Sequence, residues 1–252
     1  MKYVETSVLN KWLDELLQSN KFNDCCPNGL QIEGKDKIKN IVVGVTACQE
    51  LIKAAIIKKA DALIVHHGLF WNNTSRSISG IMKNRIKICL ENDLNLFSYH
   101  LPLDIHPTLG NNIQLGKILE FDIIEESYDK NSLLMFGSYK KEIEAKELNF
   151  HISKKLNRST LLIGNSNKLI NKIAWCTGGA QNKFTEAIES GANIYITGEI
   201  SEPIFHISKE LDIPFICAGH HATEKYGIQA LGIAIQKKFD INVEFIDINN
   251  PI

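Results

Sequence analysis

Short runs of apolar, β-branched residues alternate with longer helical segments along the chain, and this alternation limits the fold more than any other sequence feature. The runs predict strands at 40–45, 62–65, 95–99, 173–177, 194–197, 214–217 and 243–247. Apolar residues at helical spacing predict helices at 47–59, 80–92, 111–119, 142–156, 181–190, 202–211 and 223–238. Strands that alternate with helices are typical of an α/β fold with largely parallel pairing.

Two regions follow the alternation less closely. The stretch 121–172 is less regular, and only 132–139 and 159–164 in it have the pattern of short strands. The first residues, MKYVETSVLNKWLDELL, place apolar side chains at helical spacing with charges between them. That pattern predicts an amphipathic helix and not a secretory segment, which needs an unbroken apolar run.

Composition excludes some classes of protein. The formal net charge of −1 over 252 residues lacks the basic excess of a typical nucleic-acid-binding chain. No stretch reaches the about 18 uncharged residues that a membrane span needs. The six cysteines have no C-x-x-C spacing, and their scatter is typical of free thiols in a reducing compartment. We therefore expect a cytoplasmic protein.

The chain contains a weak internal repeat. Strand 41–45, its helix, Ala60-Asp61 and a second strand lead to His66-His67, and the same order leads from 173–177 through Ala192-Asn193 to Gly198-Glu199. The two series align without a gap, although α/β units also resemble one another by chance. We expect two similar α/β halves from an internal duplication, residues 1–125 and 126–252, closely packed or integrated into one unit.

Polar residues follow several of the predicted strands directly. Those at strand ends are His66, His67, His100 with Asp104, Glu199, and His220 with Glu224. Ligands of open α/β sheets collect beyond the carboxyl ends of the strands. The repeat therefore predicts that strand ends from both halves contribute to one cleft.

The motif DALIVHHGLF ends a strand in two histidines. Imidazole is a common ligand of divalent transition metals. Adjacent residues of a regular strand face opposite ways, so His66 and His67 share one site only if the strand breaks, which Gly68 would allow. The alternative is a pair of polar residues that contact backbone or solvent.

Two further motifs add oxygen and nitrogen donors. In NLFSYHLPLDIHP, Pro102 turns the chain so that Asp104 can face the strand end, and His100 either binds a metal or orients a ligand. In CAGHHATEKYG, the i, i+4 spacing of His220 and Glu224 places both on one helix face, although a capped helix start would also explain them.

The three motifs together predict a two-metal site. His66, His67, Asp104, His220 and Glu224 supply five mixed nitrogen and oxygen donors, which suit two divalent ions with positions open for water. ITGEISEPIFH adds Glu199 and His206, a candidate acid–base pair beside the cleft, with surface polarity as the alternative. His100 is a third candidate for proton transfer.

Six motifs also carry a resemblance to a known family. PNGLQIEG, VHHG, YHLPLD, CTGGA, TGEISE and GHHATEKYG occur in the order found in the bacterial GTP cyclohydrolase 1 type 2 homologues, the short members of the Nif-three-like dinuclear-metal family. The chain resembles these proteins over essentially its whole length. The family's metal ligands match His66, His67, Asp104, His220 and Glu224 in residue type.

The resemblance implies two similar α/β domains, a dinuclear site in the cleft between them and a toroidal homohexamer built from dimers. The ligand types themselves suit two divalent ions of Fe, Mn, Zn or Ni. Two such ions would lower the pKa of a bound water, so we expect a metal-dependent hydrolase that acts on a small molecule. The rival hypotheses are a metal-handling protein without turnover and a ring-shaped scaffold for protein or nucleic acid.

Overall fold

The alternation of strands and helices is present in a computed structural model, which describes residues 2–75, 77–124 and 133–252. The helices in these ranges are α1 (Thr6–Leu17), α2 (Gln49–Ile57), α3 (Gly80–Glu91), α4 (Leu101–Ile105), α5 (Asn111–Ile118), α6 (Ala145–Leu156), α7 (Phe184–Glu189), α8 (Glu202–Glu210) and α9 (His220–Phe239). The strands are β1 (Val4–Glu5), β2 (Gly29–Ile32), β3 (Lys37–Ile38), β4 (Asn40–Thr46), β5 (Ala62–His67), β6 (Asn95–Ser98), β7 (Asp122–Ile123), β8 (Met135–Ser138), β9 (Ile143–Glu144), β10 (Leu161–Ile163), β11 (Leu169–Ile170), β12 (Ile173–Trp175), β13 (Ile194–Thr197), β14 (Phe215–Cys217) and β15 (Asn242–Phe245).

The chain forms two compact units. The first contains Met1–Gly110 and Gly227–Asn249, and the second contains Asn111–Tyr226 and Asn250–Ile252. Each unit has its own sheet and its own apolar core. The predicted boundary between residues 125 and 126 lies outside the described residues, so the division into halves 1–125 and 126–252 stays a prediction.

The first unit is built on a five-stranded sheet with the order β15-β4-β5-β6-β2. All pairs are parallel except β6 with β2. Successive side chains of β4 point to opposite faces, as in any strand. Ile41 and Val43 belong to the core cluster that contains the apolar faces of α1 and α9, while Val42 belongs to the cluster that contains those of α2 and α3.

The second unit is built on a six-stranded sheet with the order β10-β14-β13-β12-β8-β7. Only β12, β13 and β14 are parallel, because β10, β8 and β7 all pair antiparallel. Trp175 belongs to the core cluster that contains residues of α5 and α6, and Tyr195 to the cluster that contains Phe184 of α7. The predicted parallel pairing is therefore right for the first sheet and right only at the centre of the second.

The strand registers support the internal duplication. Ile41 lies opposite Ala62 and Ile173 lies opposite Ile194, so the paired positions are 21 residues apart in both sheets. The turn before the second strand is also repeated. Asp61 accepts hydrogen bonds from the backbone N–H groups of 39 and 40, and Asn193 accepts them from those of 171 and 172.

Every predicted strand and helix has a counterpart in the structure, and several elements of the structure were not predicted. The seven strands, the seven helices and the amino-terminal amphipathic helix are all present, and the two weaker strands are β8 and β10, although residue 132 lies outside the described ranges. The sequence did not predict α4 or the short strands β1, β2, β3, β7 and β11, and β9 occupies the first residues of the predicted helix 142–156. Helix α9 starts at His220 and not at 223, because the N–H of Thr223 already bonds to the carbonyl of Gly219. In the described parts of the chain, no helix is both long and apolar enough to cross a membrane.

Candidate metal centre

His66 and His67 lie at the end of β5, and their rings come together without the strand break that the sequence predicted. The strand continues through His67, which pairs with Thr46. The ring centroids are nevertheless 4.4 Å apart. Each ring is held from a different side, because His66 Nδ1 bonds to the carbonyl of Tyr99 (2.9 Å) and His67 Nδ1 bonds to Thr46 Oγ1 (3.1 Å).

The hydrogen bond of His66 fixes which ring nitrogen can bind a cation. A carbonyl oxygen only accepts, so Nδ1 carries a proton, and in the neutral ring Nε2 carries the lone pair. Nε2 lies 3.5 Å from Asp104 Oδ1. His66 is fully buried and Asp104 is 6% exposed. An imidazole nitrogen and a carboxylate oxygen therefore face each other in a desolvated place, which is costly unless a proton or a cation lies between them.

Asp104 reaches this position through the short helix α4. Pro102 lies in its first turn, where the missing N–H of proline is tolerated. The N–H of Asp104 donates to the carbonyl of His100 at 3.1 Å. The sequence predicted that Pro102 turns the chain after the strand, and the structure shows that the turn is the start of a helix that positions the carboxylate.

His100 is the third imidazole of the first unit. One ring nitrogen from each of His66, His67 and His100 lies within 4.8 Å of the others. His100 Nδ1 is 2.8 Å from Asp24 Oδ1, and the backbone N–H of His100 donates to Asn28 Oδ1 at 2.7 Å. The sequence left open whether His100 binds a metal or orients a ligand. In the structure, the His100 ring lies beside the rings of His66 and His67.

Asp24 is a site residue that the sequence analysis missed. Burial alone would raise the pKa of this carboxyl group, but hydrogen bonds from His100 and Asn28 outweigh it and hold the pKa well below its usual range. The N–H of Leu101 donates to the same carboxylate at 2.9 Å. The only sequence signal was its position just before the PNGLQIEG motif, and nothing there indicated a histidine partner 76 residues away.

In the second unit, His220 lies between two carboxylates. Its Nδ1 is 2.6 Å from Glu199 Oε1, and its Nε2 is 3.0 Å from Glu224 Oε2. His220 and Glu224 share one face of α9, as their spacing predicts. Glu199, which follows β13, contacts the opposite nitrogen of the same ring. In many metal sites a carboxylate in this position orients the histidine ligand and makes it a stronger donor.

The two carboxylates change the pKa of His220. Burial lowers the pKa of the ring, but the hydrogen bonds and negative charges of Glu224 and Glu199 together outweigh it and raise the pKa to about 9. Without a metal ion, His220 is therefore protonated at neutral pH. A cation that binds Nε2 replaces this proton, because a metal ligand must be the neutral imidazole.

The CTGGA motif contributes a close backbone approach to this pair. Gly178 has φ +68°, and a Cβ atom there would lie 2.0 Å from Glu224 Oε1. The N–H of Gly178 donates to Thr223 Oγ1 at 3.0 Å, and Thr223 Oγ1 donates to the carbonyl of His220. Only glycine allows the loop to pack this tightly against the start of α9.

His206 has different surroundings from the other candidates. It lies on α8, its side chain is 61% exposed, and its Nε2 is 2.9 Å from Glu202 Oε1, one helical turn earlier. This is the arrangement of a solvated ion pair on a helix surface. His206 and Glu199 follow the same strand and were predicted to act as a pair, but in the structure the ring partner of Glu199 is His220.

Comparison with known families identifies the chain. A family model described as Duf34/NIF3 (NGG1p interacting factor 3) matches residues 4–251. The chain belongs to the Duf34/NIF3 family. The resemblance seen in the sequence motifs is therefore confirmed, and the buried histidines and carboxylates of this NIF3 protein are groups that can hold a metal ion.

Curated and solved relatives agree with this assignment. A Haemophilus influenzae protein named GTP cyclohydrolase 1 type 2 homolog is 47% identical over 245 residues, which cover 96% of this chain and 98% of that protein. A Yersinia pestis protein of the same name is 46% identical over 240 residues, with 95% and 96% covered. A solved structure described as protein ybgI, of unknown function, has a TM-score of 0.95 at 41% identity, and the match covers 99% of this chain and 100% of that one.

Proposed function

We propose that this NIF3 protein binds two divalent metal ions through His66, His67, Asp104, His220 and Glu224 and is a metal-dependent hydrolase. His66, His67 and Asp104 belong to the first unit, and His220 and Glu224 belong to the second. Fe, Mn, Zn and Ni all accept such a mixed set of nitrogen and oxygen ligands.

The buried pairing of His66 Nε2 with Asp104 Oδ1 carries the proposal. Surface histidines and carboxylates occur together often, but here both side chains are almost completely withdrawn from water. A buried carboxylate is usually paired with a cation or a strong hydrogen-bond donor. In the neutral His66 ring the Tyr99 carbonyl holds the proton on Nδ1, so Nε2 offers a lone pair in this direction. That arrangement fits a bound cation.

The chain's own residues would prepare the site for catalysis. Divalent ions supply Lewis acidity, which lowers the pKa of water and polarises a substrate. Glu199 holds the Nδ1 proton of His220 and thereby aims Nε2. Its carboxylate is the group best placed in the second unit to take up a proton during a reaction. Glu199 is only partly buried, so it can exchange that proton with solvent.

The proposed substrate class comes from the relatives. Two curated relatives at 46% and 47% identity carry the name GTP cyclohydrolase 1 type 2 homolog. A purine nucleotide is therefore the first small molecule to examine. In such a reaction water would add to the imidazole carbon of the purine, and Glu199 would transfer protons.

A metal-handling protein without turnover is the second candidate. It is favoured by the deep burial of His66 and Glu224, which are 0% and 3% exposed, because storage and structural metals are often enclosed. A third proposal, from the resemblance alone, is that the chain assembles into a homohexamer, either as the form of the enzyme or as a ring-shaped scaffold.

Metal content and turnover together test the function. We expect at least two divalent ions per chain in purified protein and a clear reduction in a double His66→Ala, His67→Ala variant, measured by plasma mass spectrometry. His206→Ala is the matched control, because it removes an exposed histidine that is not a proposed ligand. Full metal content in the double variant would contradict the metal site.

Turnover separates the two main candidates. Metal-loaded protein should hydrolyse at least one compound in a panel of nucleotides, phosphoesters and amides, and Glu199→Gln should lower kcat while the metal content stays unchanged. If no member of the panel is hydrolysed by fully loaded protein, the metal-handling function replaces the hydrolase.

A further inference from the structure

A second group of metal-binding side chains lies in the first unit, where Asp24, Cys25 and Cys26 pack against His100. A carboxylate oxygen of Asp24, the sulfur of Cys26 and a ring nitrogen of His100 lie within 4.8 Å of one another. The Asp24 side chain is 2% exposed and Cys26 is 4% exposed. Oxygen, sulfur and nitrogen donors from three residues therefore converge away from solvent.

Several hydrogen bonds hold these donors in place. Asp24 Oδ2 accepts from Asn28 Nδ2 at 3.0 Å and from the N–H of Leu101 at 2.9 Å. On the other side of the segment, the N–H of Asn72 donates to the carbonyl of Cys25 at 2.8 Å. The segment is thus tied to the start of α4 and to the loop after β5. The fold therefore places the segment that carries Asp24 and Cys26 beside His100.

We propose that Asp24, Cys26 and His100 form a zinc site that is separate from the five ligands proposed above. Thiolate, imidazole and carboxylate are the donors that Zn²⁺ prefers, whereas Mg²⁺ and Ca²⁺ prefer oxygen alone. Three protein ligands leave one tetrahedral position. On binding, the Cys26 thiol releases its proton to solvent, and neutral His100 binds through Nδ1, which faces Asp24, and carries its proton on Nε2.

The site would join two parts of the first unit that support the His66–Asp104 pair. Helix α4 carries Asp104, and the Asp24 carboxylate already bonds to the N–H of Leu101, the first residue of that helix. A zinc ion here would fix α4 to the Asp24–Cys26 segment. It would also make His100 a ligand, which removes His100 from the candidates for proton transfer.

Cobalt substitution tests the site because sulfur ligation has its own optical signal. Full-length protein loaded with Co²⁺ should show an intense near-ultraviolet band from sulfur-to-cobalt charge transfer. Cys26→Ser should abolish the band and lower the metal content by one ion per chain. Cys25→Ser makes the same change at the exposed neighbouring thiol, whose sulfur lies 3.9 Å from His100 Nδ1, and it should leave both unchanged. A band lost in Cys25→Ser and kept in Cys26→Ser would overturn the assignment of Cys26 as the ligand.

A third variant separates this proposal from the proposed function. His220→Ala removes one of the five ligands but no ligand of the zinc site, so it should lose metal and keep the sulfur band. Absence of the band from cobalt-saturated wild-type protein would overturn the zinc site, and so would a band that survives Cys26→Ser. If Cys26→Ser does not fold, X-ray absorption at the zinc edge of wild-type protein decides: a sulfur neighbour at about 2.3 Å is expected, and nitrogen and oxygen neighbours alone would overturn the site.

Discussion

At the scale of single residues, His220 shows how carboxylates prepare a histidine for a metal. Glu199 and Glu224 bond to opposite nitrogens of one ring, and their charges outweigh the effect of burial. The pKa of about 9 means that proton and cation compete for Nε2 over the whole neutral range. Metal binding at this residue should therefore release a proton and depend on pH.

We expect the apparent metal affinity to increase as the pH rises toward 9. In the Glu199→Gln variant, the apparent metal affinity should reach its maximum at a lower pH, because the loss of one carboxylate lowers the pKa of His220. Metal titrations at a series of pH values measure the first effect, and NMR titration of the metal-free protein measures the pKa of His220. Glu202→Gln is the control, since Glu202 bonds to the exposed His206. A His220 pKa unchanged by Glu199→Gln would contradict this account.

At the scale of elements, the turn before the second strand of the repeat occurs in both units, with a carboxylate (Asp61) in the first and an amide (Asn193) in the second. In the first unit, Asp61 accepts two backbone N–H groups and also pairs with Lys35 at 2.8 Å. In the second unit, the uncharged side-chain amide oxygen of Asn193 accepts hydrogen bonds from the two equivalent N–H groups. Burial raises the pKa of Asp61, but the bonds from Lys35 and the two amides outweigh it, so the pKa is lowered.

Replacing Asp61 should separate the capping bonds from the charge. We expect Asp61→Asn to reduce the free energy of unfolding by no more than about 1 kcal/mol, because Asn193 fills the same role and the Lys35 pair is partly exposed. Asp61→Ala should reduce the free energy of unfolding by about 2 kcal/mol, because two partly buried N–H groups lose their acceptor. Urea denaturation at neutral pH measures both, and an equal loss in the two variants would contradict the capping role.

The charge of Asp61 also has a consequence for acid stability. A carboxyl group with a lowered pKa in the folded state stabilises the protein above its unfolded pKa of about 3.9, and this contribution disappears as the pH falls toward the folded value. Wild-type protein should therefore lose more stability than Asp61→Asn between neutral and acid pH.

A second element-scale prediction concerns the loop that contains Gly178. Gly178→Ala should reduce the free energy of unfolding by at least about 2 kcal/mol, because strain at positive φ adds to a clash with Glu224. Gly80→Ala is the matched control: its φ is +52°, and nothing lies within 4 Å of the added Cβ, so only the strain remains. Gly178→Ala should also lower the metal content. Equal destabilisation by the two substitutions would show that the contact with Glu224 is unimportant.

At the scale of the whole molecule, the oligomeric state is the main prediction that rests on the family resemblance. We expect light scattering on purified protein at micromolar concentration to give a mass several times the 28.4 kDa of one chain, with six copies as the proposed number. The same measurement on the His66→Ala, His67→Ala variant shows whether assembly depends on the metal. A monomer at these concentrations would contradict the hexamer.

The sequence alone determined the main strands and helices and the residue types of the five proposed ligands. The seven strands, seven helices and repeated turn were predictable because apolar spacing and turn residues act locally. The spacing of His220 and Glu224 was predictable because a helix has a fixed period. The antiparallel strands at the edges of the second sheet were not predictable, because the direction of strand pairing depends on how distant segments of the chain meet.

Only the tertiary structure decided which side chains become neighbours. Asp24 and His100 are 76 residues apart, and no local pattern pairs them. The rings of His66 and His67 meet on an unbroken strand because Tyr99 and Thr46, from other parts of the sheet, hold each ring. Ring orientation, burial and pKa depend on atoms brought from elsewhere in the chain, so local sequence predicted the ligands while the fold defined their chemistry.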